Sequence, residues 1–483
     1  MAKKYILAID QSTQGTKAIL IDHQDQIFWK TSLPHKQLIN NQGWVSHDLF
    51  EIEANLKKLF EEVLVQASGD QIESLAITNQ RESAAAWSRS TGTPLCRTIV
   101  WQDNRSTELV KALTTPTIRQ TLKNKTGLEI SPYFTASKWA WMLQNESAVQ
   151  KANREGDLCF GTMDSWLIFQ LTNGKSFKTE PSNACRTQLM NIKSGRWDDE
   201  LCSTFGIKIE SLPEIVDSNS HFGGTNLFGL LDHEIPILSV LGDSQAALFA
   251  HGCFDCGEFK VTFGTGSSVM LNIGENLPKS IDNKLNTSIA WSLNGKTSYV
   301  LEGNINYAGA CITWLKDNLH LINSPEETSS LAADANQDDQ TVLVPAFAGL
   351  GAPYWLPDMK AAFVGMTATT GKKELVRATL NSLVYQINDI LSAYSDLAPK
   401  VNDEIHTDGG MIHNTYLMQQ LSDITGRQVD ISTISELSAL GTAMNAMNHL
   451  TGTTSSSTYR PVMKRSIADS LVNDWISWIR KLS

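Results

Sequence analysis

Two aspartates stand where a carboxylate could do chemistry. Asp10 closes the apolar run 5–9, and Asp243 closes the run 235–241 just ahead of a helical pattern. Carboxylates at the C-terminal ends of buried strands commonly face a ligand crevice. Singly, either aspartate is better read as a helix cap or turn residue. As a pair they suit a division of labour. One would hold a magnesium ion through water, and the other would accept the proton of an attacking hydroxyl.

A phosphate-binding device is the natural companion, and the familiar one is absent. Gly174-Lys175-Ser176 and Gly295-Lys296-Thr297 lack the glycine a P-loop needs five positions before the second; Phe169 and Ala290 stand there. The hairpins offer another route. Residues 5–22 read YILAI, a DQSTQGT turn and KAILID, and the pattern recurs at 259–273 as FKVTF, GTGS and SVMLNI. Backbone N–H groups of such tight Gly/Thr tips form anion-binding concavities. Ser12, Thr13, Thr265 and Ser267 could add hydroxyl donors. Two tips facing one another would hold a triphosphate from both sides.

The elements that must position these residues alternate between strand and helix. Strands are expected at 74–78, 235–241 and 341–347, and helices at 135–144, from 373 to about 397, and near 439–450. That alternation predicts an α/β protein. A chain of 483 residues exceeds what one core supports, so two domains are expected, 1–250 and 251–483, meeting near 248–256. Residues 451–457 read as a polar surface loop.

The composition excludes several function classes. Hydrophobic residues make up 41% and charged residues 19%, which argues against disorder. The net charge is −11 with no basic patch, so no nucleic-acid partner is expected. No apolar run reaches membrane-spanning or secretory length, which predicts a cytoplasmic protein with no membrane partner. Seven scattered cysteines read as reduced, and the lone pair Cys253 and Cys256 reads as two small core residues rather than a zinc or redox site.

Longer strings carry a more specific signal. Residues 133–142 read YFTASKWAWM. Residues 365–381 carry GM and ELVRATLN, with Asn381 where an acidic residue or Gln is usual. Further strings are GWVSHD (43–48), ITNQRE (77–82), IVWQ (99–102), GDSQAALF (242–249), FGTG (263–266), PAFAGLGAPYW (345–355), DGG (408–410) and ELSALGTA (436–443). In this order the chain resembles the FGGY carbohydrate kinases, on the glycerol kinase branch. The resemblance implies two actin-like (ribonuclease H-like) ATPase domains flanking a central cleft, and ATP-dependent phosphorylation of a terminal hydroxyl of a small polyol or sugar. It implies Asp243 as general base and metal neighbour, with Asp10 near the metal. Arg81, Glu82, Trp101, Tyr133, Asp243, Ser244 and Ser268 would border the acceptor. Thr13, Gln14, Gly15, Lys17, Gly264, Thr265, Gly309, Thr313, Gly410 and Asn414 would contact the nucleotide. The chemistry agrees. Arg81 is a forked donor and Glu82 an acceptor, so adjacent hydroxyls can be read in opposite senses, while Trp101 can cover a C–H face.

Departures matter too. Ser268 stands where Phe is usual, and Ser244 where Gln is usual. Both changes make room for a longer C4–C5 polyol or ketopentose, whose extra hydroxyls could reach Asp103 or Arg105. The NQRE string argues against an ordinary xylulokinase. Lys17 replaces the usual Arg. The loop that binds fructose 1,6-bisphosphate in some members is not recognisable at 223–234, and Gly229 occupies the place of the histidine phosphorylated in others. A homodimer or homotetramer is compatible with the family. The competing classes are a non-catalytic actin-like ATPase and a sugar sensor.

Overall fold

A computed structural model describes residues 3–278, 284–398, 400–432, 434–453 and 455–483. The chain forms two compact units. The first comprises 1–252, 287–299 and 436–452; the second comprises 253–286, 300–435 and 453–483.

The first unit is organised by one sheet. Its strands are β1 (Tyr5–Gln11), β2 (Gly15–Ile21), β3 (Ile27–Pro34), β4 (Ile72–Asn79), β5 (Gly223–Thr225) and β6 (Ile235–Gly242), in the order β5-β6-β4-β1-β2-β3. All seven residues of β1 are buried, as a central strand covered on both faces requires. β1, β4 and β6 run parallel, and β2, β3 and β5 antiparallel to their neighbours. The helix Leu49–Gln66 is capped by the Asp48 side chain, which accepts from the Phe50 N–H; it buries Ile52, Leu56, Leu59, Phe60 and Val63 into the core of this unit. A smaller core, built on Trp139, Phe160, Leu201 and Phe205, supports the helix Thr135–Asn145.

The helix Leu437–Ala446 follows the boundary expected at residue 250 in the sequence but packs with the residues before it. It belongs to the first unit, where Thr442 Oγ1 donates to the Ile77 carbonyl at 3.0 Å and Asn445 Nδ2 to Ser239 Oγ at 2.7 Å. Its approach to the helix Asp243–Ala250 is so close that a Cβ on Gly441 would lie 1.8 Å from the Ala246 carbonyl oxygen.

The second unit carries β7 (Phe259–Phe263), β8 (Ser267–Gly274), β9 (Lys296–Ile305, of which this unit takes the part from Val300), β10 (Glu404–Gly409), β11 (Gln428–Ser432) and β12 (Ser455–Tyr459). Their order is β9-β8-β7-β10-β11-β12. The expected repeat is therefore deeper than a hairpin. In both units an antiparallel hairpin leads into two further parallel strands and ends on an antiparallel edge. The 451–457 loop is corrected here: from Ser455 the chain is the edge strand β12, paired to β11. The strand expected at 341–347 is shorter, Val342–Val344. Among the described residues no helix is long and apolar enough to cross a membrane.

Gly441→Ala should lower unfolding stability by about 3 kcal/mol, the upper end for overpacking, because its neighbour is a backbone oxygen that cannot step aside. Urea denaturation measures it, and a variant of unchanged midpoint would contradict the helix crossing described here.

Candidate active site

Strand register assembles the site in the first unit. Asp10 lies opposite Thr78, Gln11 opposite Asn79, and Gly242 also opposite Asn79. Asp10, the Arg81-Glu82 pair and Asp243 thus all leave the carboxyl end of the same three parallel strands.

Asp10 is buried, and its Oδ1 has no hydrogen-bond partner among the described residues. Burial pushes its carboxyl up to about 7, against the pull of Lys17 and with some help from Asp243 and Glu436. Lys17 Nζ stands 3.9 Å from Asp10 Oδ2 but only 2.5 Å from Glu436 Oε2, and Lys30 reaches the other Glu436 oxygen at 3.0 Å. The ammonium expected on the nucleotide is thus held by two carboxylates of its own unit. An orphaned, buried carboxylate oxygen electrostatically coupled to a second aspartate is a donor set that fits a hydrated magnesium ion.

Asp243, with its side chain 39% exposed, opens the helix Asp243–Ala250. Arg81 Nε lies 3.5 Å from Asp243 Oδ1, and Arg81 Nη1 donates to Gln245 Oε1 at 3.3 Å. Gln245 Nε2 in turn donates to the Ile289 carbonyl. Gly242 lets the Arg81 stem pass, since a Cβ there would meet Arg81 Cδ at 2.8 Å. The Gly242 N–H donates to Ser182 Oγ, whose own hydrogen goes to the buried Glu180. Glu180 caps the helix Pro181–Ala184 and also accepts from Ser218 and Asn183; burial pushes its carboxyl up to about 7 against those donors.

The acceptor side is equally braced. Glu82 is buried and its Oε1 accepts from Arg186 Nε at 2.5 Å. Trp101 Nε1 donates to Thr13 Oγ1 at 2.9 Å, and the Trp101 and Tyr133 rings meet edge-on with centroids 5.8 Å apart. Lys138, fully buried, donates to the carbonyls of Pro132 and Tyr133. Ser244 Oγ lies 3.2 Å from Asp243 Oδ1.

In the second unit the Gly264-Thr265-Gly266 tip packs on the start of the helix Gly309–Asp317. The N–H groups of Ala308, Gly309 and Ala310 donate to the carbonyls of Gly264 and Thr265. A Cβ on Gly309 would meet the Gly264 oxygen at 2.7 Å, which accounts for that glycine sterically. Gly410 N–H donates to the Phe263 carbonyl. Asn414 caps the helix Thr415–Thr425 and donates to Thr328 Oγ1 at 2.9 Å, and Thr313 Oγ1 donates to the Gly309 carbonyl at 3.3 Å. Ser268 Oγ donates to Glu302 Oε1 at 3.3 Å.

Some expectations change. The Ser12 and Ser267 hydroxyls donate within their own turns, to the Gly15 and Thr262 carbonyls, so neither proton is left for phosphate. Thr13 and Thr265 remain as the tip hydroxyls. Asp103 and Arg105 are corrected as readers of a longer substrate. Asp103 is 1% exposed and binds the Val45 N–H and Arg105, while the Arg105 guanidinium lies 4.9 Å from the Trp44 ring and 5.1 Å from Trp141. Cys253 is buried, Cys256 half-buried, and both are unbridged.

Family models for the FGGY family of carbohydrate kinases match the N-terminal domain over residues 5–250 and the C-terminal domain over 259–450. The chain belongs to this family. FGGY members of similar sequence include glycerol kinase 1 of Thermotoga maritima, 43% identical over 99% of both chains, and the glycerol kinase of Oceanobacillus iheyensis, 41% identical over 92% of this chain and 89% of that one. Among solved structures, Plasmodium falciparum glycerol kinase with ADP superposes with a TM-score of 0.92 at 33% identity, covering 99% of this chain and 98% of that one. This FGGY chain is therefore a carbohydrate or polyol kinase of glycerol-kinase-like activity.

Sequence reading of the FGGY site missed Glu180, Arg186 and Gln245. Glu180 had a local signal, an acidic residue directly before a proline at the first position of a short helix. Gln245 lies inside the GDSQ string with no role assigned. Arg186 had no local signal, because its partner is 104 residues away.

Asp10→Asn separates activity from stability. The folded Asp10 carboxyl, pushed from 3.8 to about 7, makes its full contribution to stability below pH 3.8 and loses it as pH rises to about 7. Asparagine never ionises, so the variant's advantage in melting temperature should grow from about pH 4 to pH 7 and then level off. Turnover should fall about ten- to a hundredfold, the usual cost of losing a group that holds a metal through water, which is the role expected of Asp10. An Asp10→Asn variant no more stable at pH 8 than at pH 4, relative to the parent, would contradict the burial argument.

Proposed function

We propose that this kinase transfers the terminal phosphoryl group of ATP to a terminal hydroxyl of glycerol, acting in the cytoplasm. The observation that carries the reading is the convergence of Asp243, Arg81, Glu82, Trp101 and Tyr133 at one end of the first unit's sheet. Arg81 donates to one acceptor hydroxyl, Glu82 accepts from its neighbour, and the Trp101 and Tyr133 rings cover the carbon chain. Asp243 takes the proton of the terminal hydroxyl as that oxygen bonds to the γ-phosphorus and the bond to the ADP oxygen breaks. Asp10, with Asp243, would hold the magnesium ion through water; that ion offsets the charge on the phosphates. Thr13, Gln14 and Gly15 from the first unit, and Gly264, Thr265, Gly309, Thr313, Gly410 and Asn414 from the second, are the groups assigned to the nucleotide. Lys17 acts there through Asp10, whose charge it favours.

A second reading is a C4–C5 polyol or ketopentose as acceptor. Ser244 and Ser268 favour it, since both are short; their hydroxyls are already turned onto carboxylates, Asp243 and Glu302, so what they offer is room rather than hydrogen bonds.

Steady-state assays across glycerol, erythritol, pentitols and pentuloses should give the highest kcat/KM for glycerol. A pentitol or pentulose at least about tenfold better, about 1.4 kcal/mol in transition-state binding, would replace glycerol in this reading. Asp243→Asn should lower kcat by about 10²–10⁴-fold, the usual share of a general base, with nucleotide affinity unchanged. Near-normal turnover would remove Asp243 from its role.

A further inference from the structure

Arg186 sits in the short turn Cys185–Thr187 behind the Glu180-capped helix, and its side chain is fully buried. Nε donates to Glu82 Oε1 at 2.5 Å, Nη1 donates to Ser288 Oγ at 3.0 Å, and the guanidinium lies 5.0 Å from the Phe134 ring, next to Tyr133. Glu82 itself is held in an uncommon conformation, φ +59°, in the left-handed region that costs a non-glycine residue energy. Its carbonyl accepts from Thr135 Oγ1 at 3.1 Å. Backbone and side chain of Glu82 are therefore anchored separately.

A pair of this kind is weak evidence for stability, because removing two charges from water costs about as much as their attraction returns. What such a pair does well is hold one geometry. We propose that Arg186 is the positioning residue of the acceptor pocket: it presents Glu82 as a fixed hydrogen-bond acceptor and so sets polyol affinity through Glu82. This rests on the reading of Glu82 as a ligand of an acceptor hydroxyl. Without Arg186, a buried carboxylate loses its partner, and the protein relieves that by protonating or turning it. Either response weakens or misplaces the acceptor offered to a hydroxyl proton. Nucleotide binding, assigned to other residues, is left alone.

The test compares Glu82→Gln, Arg186→Gln, Arg186→Lys and the double variant Glu82→Gln/Arg186→Gln, with glycerol and ATP as substrates. Glu82→Gln should raise the glycerol KM about tenfold or more and leave the ATP KM within about twofold. Arg186→Gln should do the same. Arg186→Lys, which keeps the charge without the fork, should recover part of the loss. The double variant should bind glycerol no worse than Arg186→Gln, because the unpaired charge has gone with its partner. An unchanged glycerol KM in Glu82→Gln would overturn the reading of Glu82. A raised KM in Glu82→Gln with an unchanged one in Arg186→Gln would overturn the positioning role alone, as would equal increases in both KM values. Should Arg186→Gln not fold, Arg186→Lys and the uncharged double variant decide the matter by the same split.

Discussion

Three parallel strands that end level with one another are the constraint on which the rest of this site depends. Asp10 and Leu241 both lie opposite Thr78, and Gln11 and Gly242 both lie opposite Asn79, so the chain positions after each strand start from a common rim. The period of a strand is two. A slip of one residue between β1 and β4 would turn Asp10 to the other face of the sheet and bring Ile9 or Gln11 to its place on the rim. The register is held by the buried apolar residues 5–9 of β1 and by the helices packed over them. The chemistry is thus set by burial of Ile, Leu and Ala, although none of those residues takes part in it.

On that rim each carboxylate has its own cation. Asp243 has Arg81, Glu82 has Arg186, and Asp10 has Lys17, which is held by Glu436 as well. The pairs differ in depth and therefore in use. Arg186 is sealed and can only position. Arg81 is buried along its stem but ends beside a half-open aspartate, so it can meet a ligand there and steady Asp243 together. Lys17 is nearer to Glu436 than to Asp10; Asp10 Oδ1 has no hydrogen-bond partner among the described residues, and burial raises its carboxyl against the pull of Lys17. Of the three, Asp10 is the group the fold leaves least content, as expected where another positive charge is to arrive.

Much of this was legible in the sequence, and the line between legible and hidden is one of sequence distance. Largely apolar runs of five to seven residues announced β1, β4, β6 and β7, and turn residues announced both tips, because period and turn chemistry are local. The motifs named Asp10, Arg81, Glu82, Trp101, Tyr133 and Asp243, and these lie together in the first unit. Partners were not legible. Nothing near Lys17 points to Glu436, 419 residues away, and nothing near Glu82 points to Arg186. Polar residues were misread for a related reason. Asp103, Arg105, Ser12 and Ser267 have side chains suited to a ligand, but each is consumed by a neighbour, and only the folded backbone shows which carbonyl or N–H claims it first.

That consumption bears on what the kinase can discriminate. A pocket prefers a longer acceptor only if it reads the extra hydroxyls, since empty volume by itself rejects little and rewards little. The groups expected to do that reading, Asp103 and Arg105, are locked into Val45, Ser46 and two tryptophans. Ser244 offers one hydroxyl, already turned towards Asp243. On the proposed reading, the set that would meet a short polyol is one forked donor, one braced acceptor and two aromatic faces. Room without readers relaxes specificity and does not switch it, so on the proposed reading the short side chain at 244 argues for tolerance of longer acceptors around the preference assigned to Arg81 and Glu82.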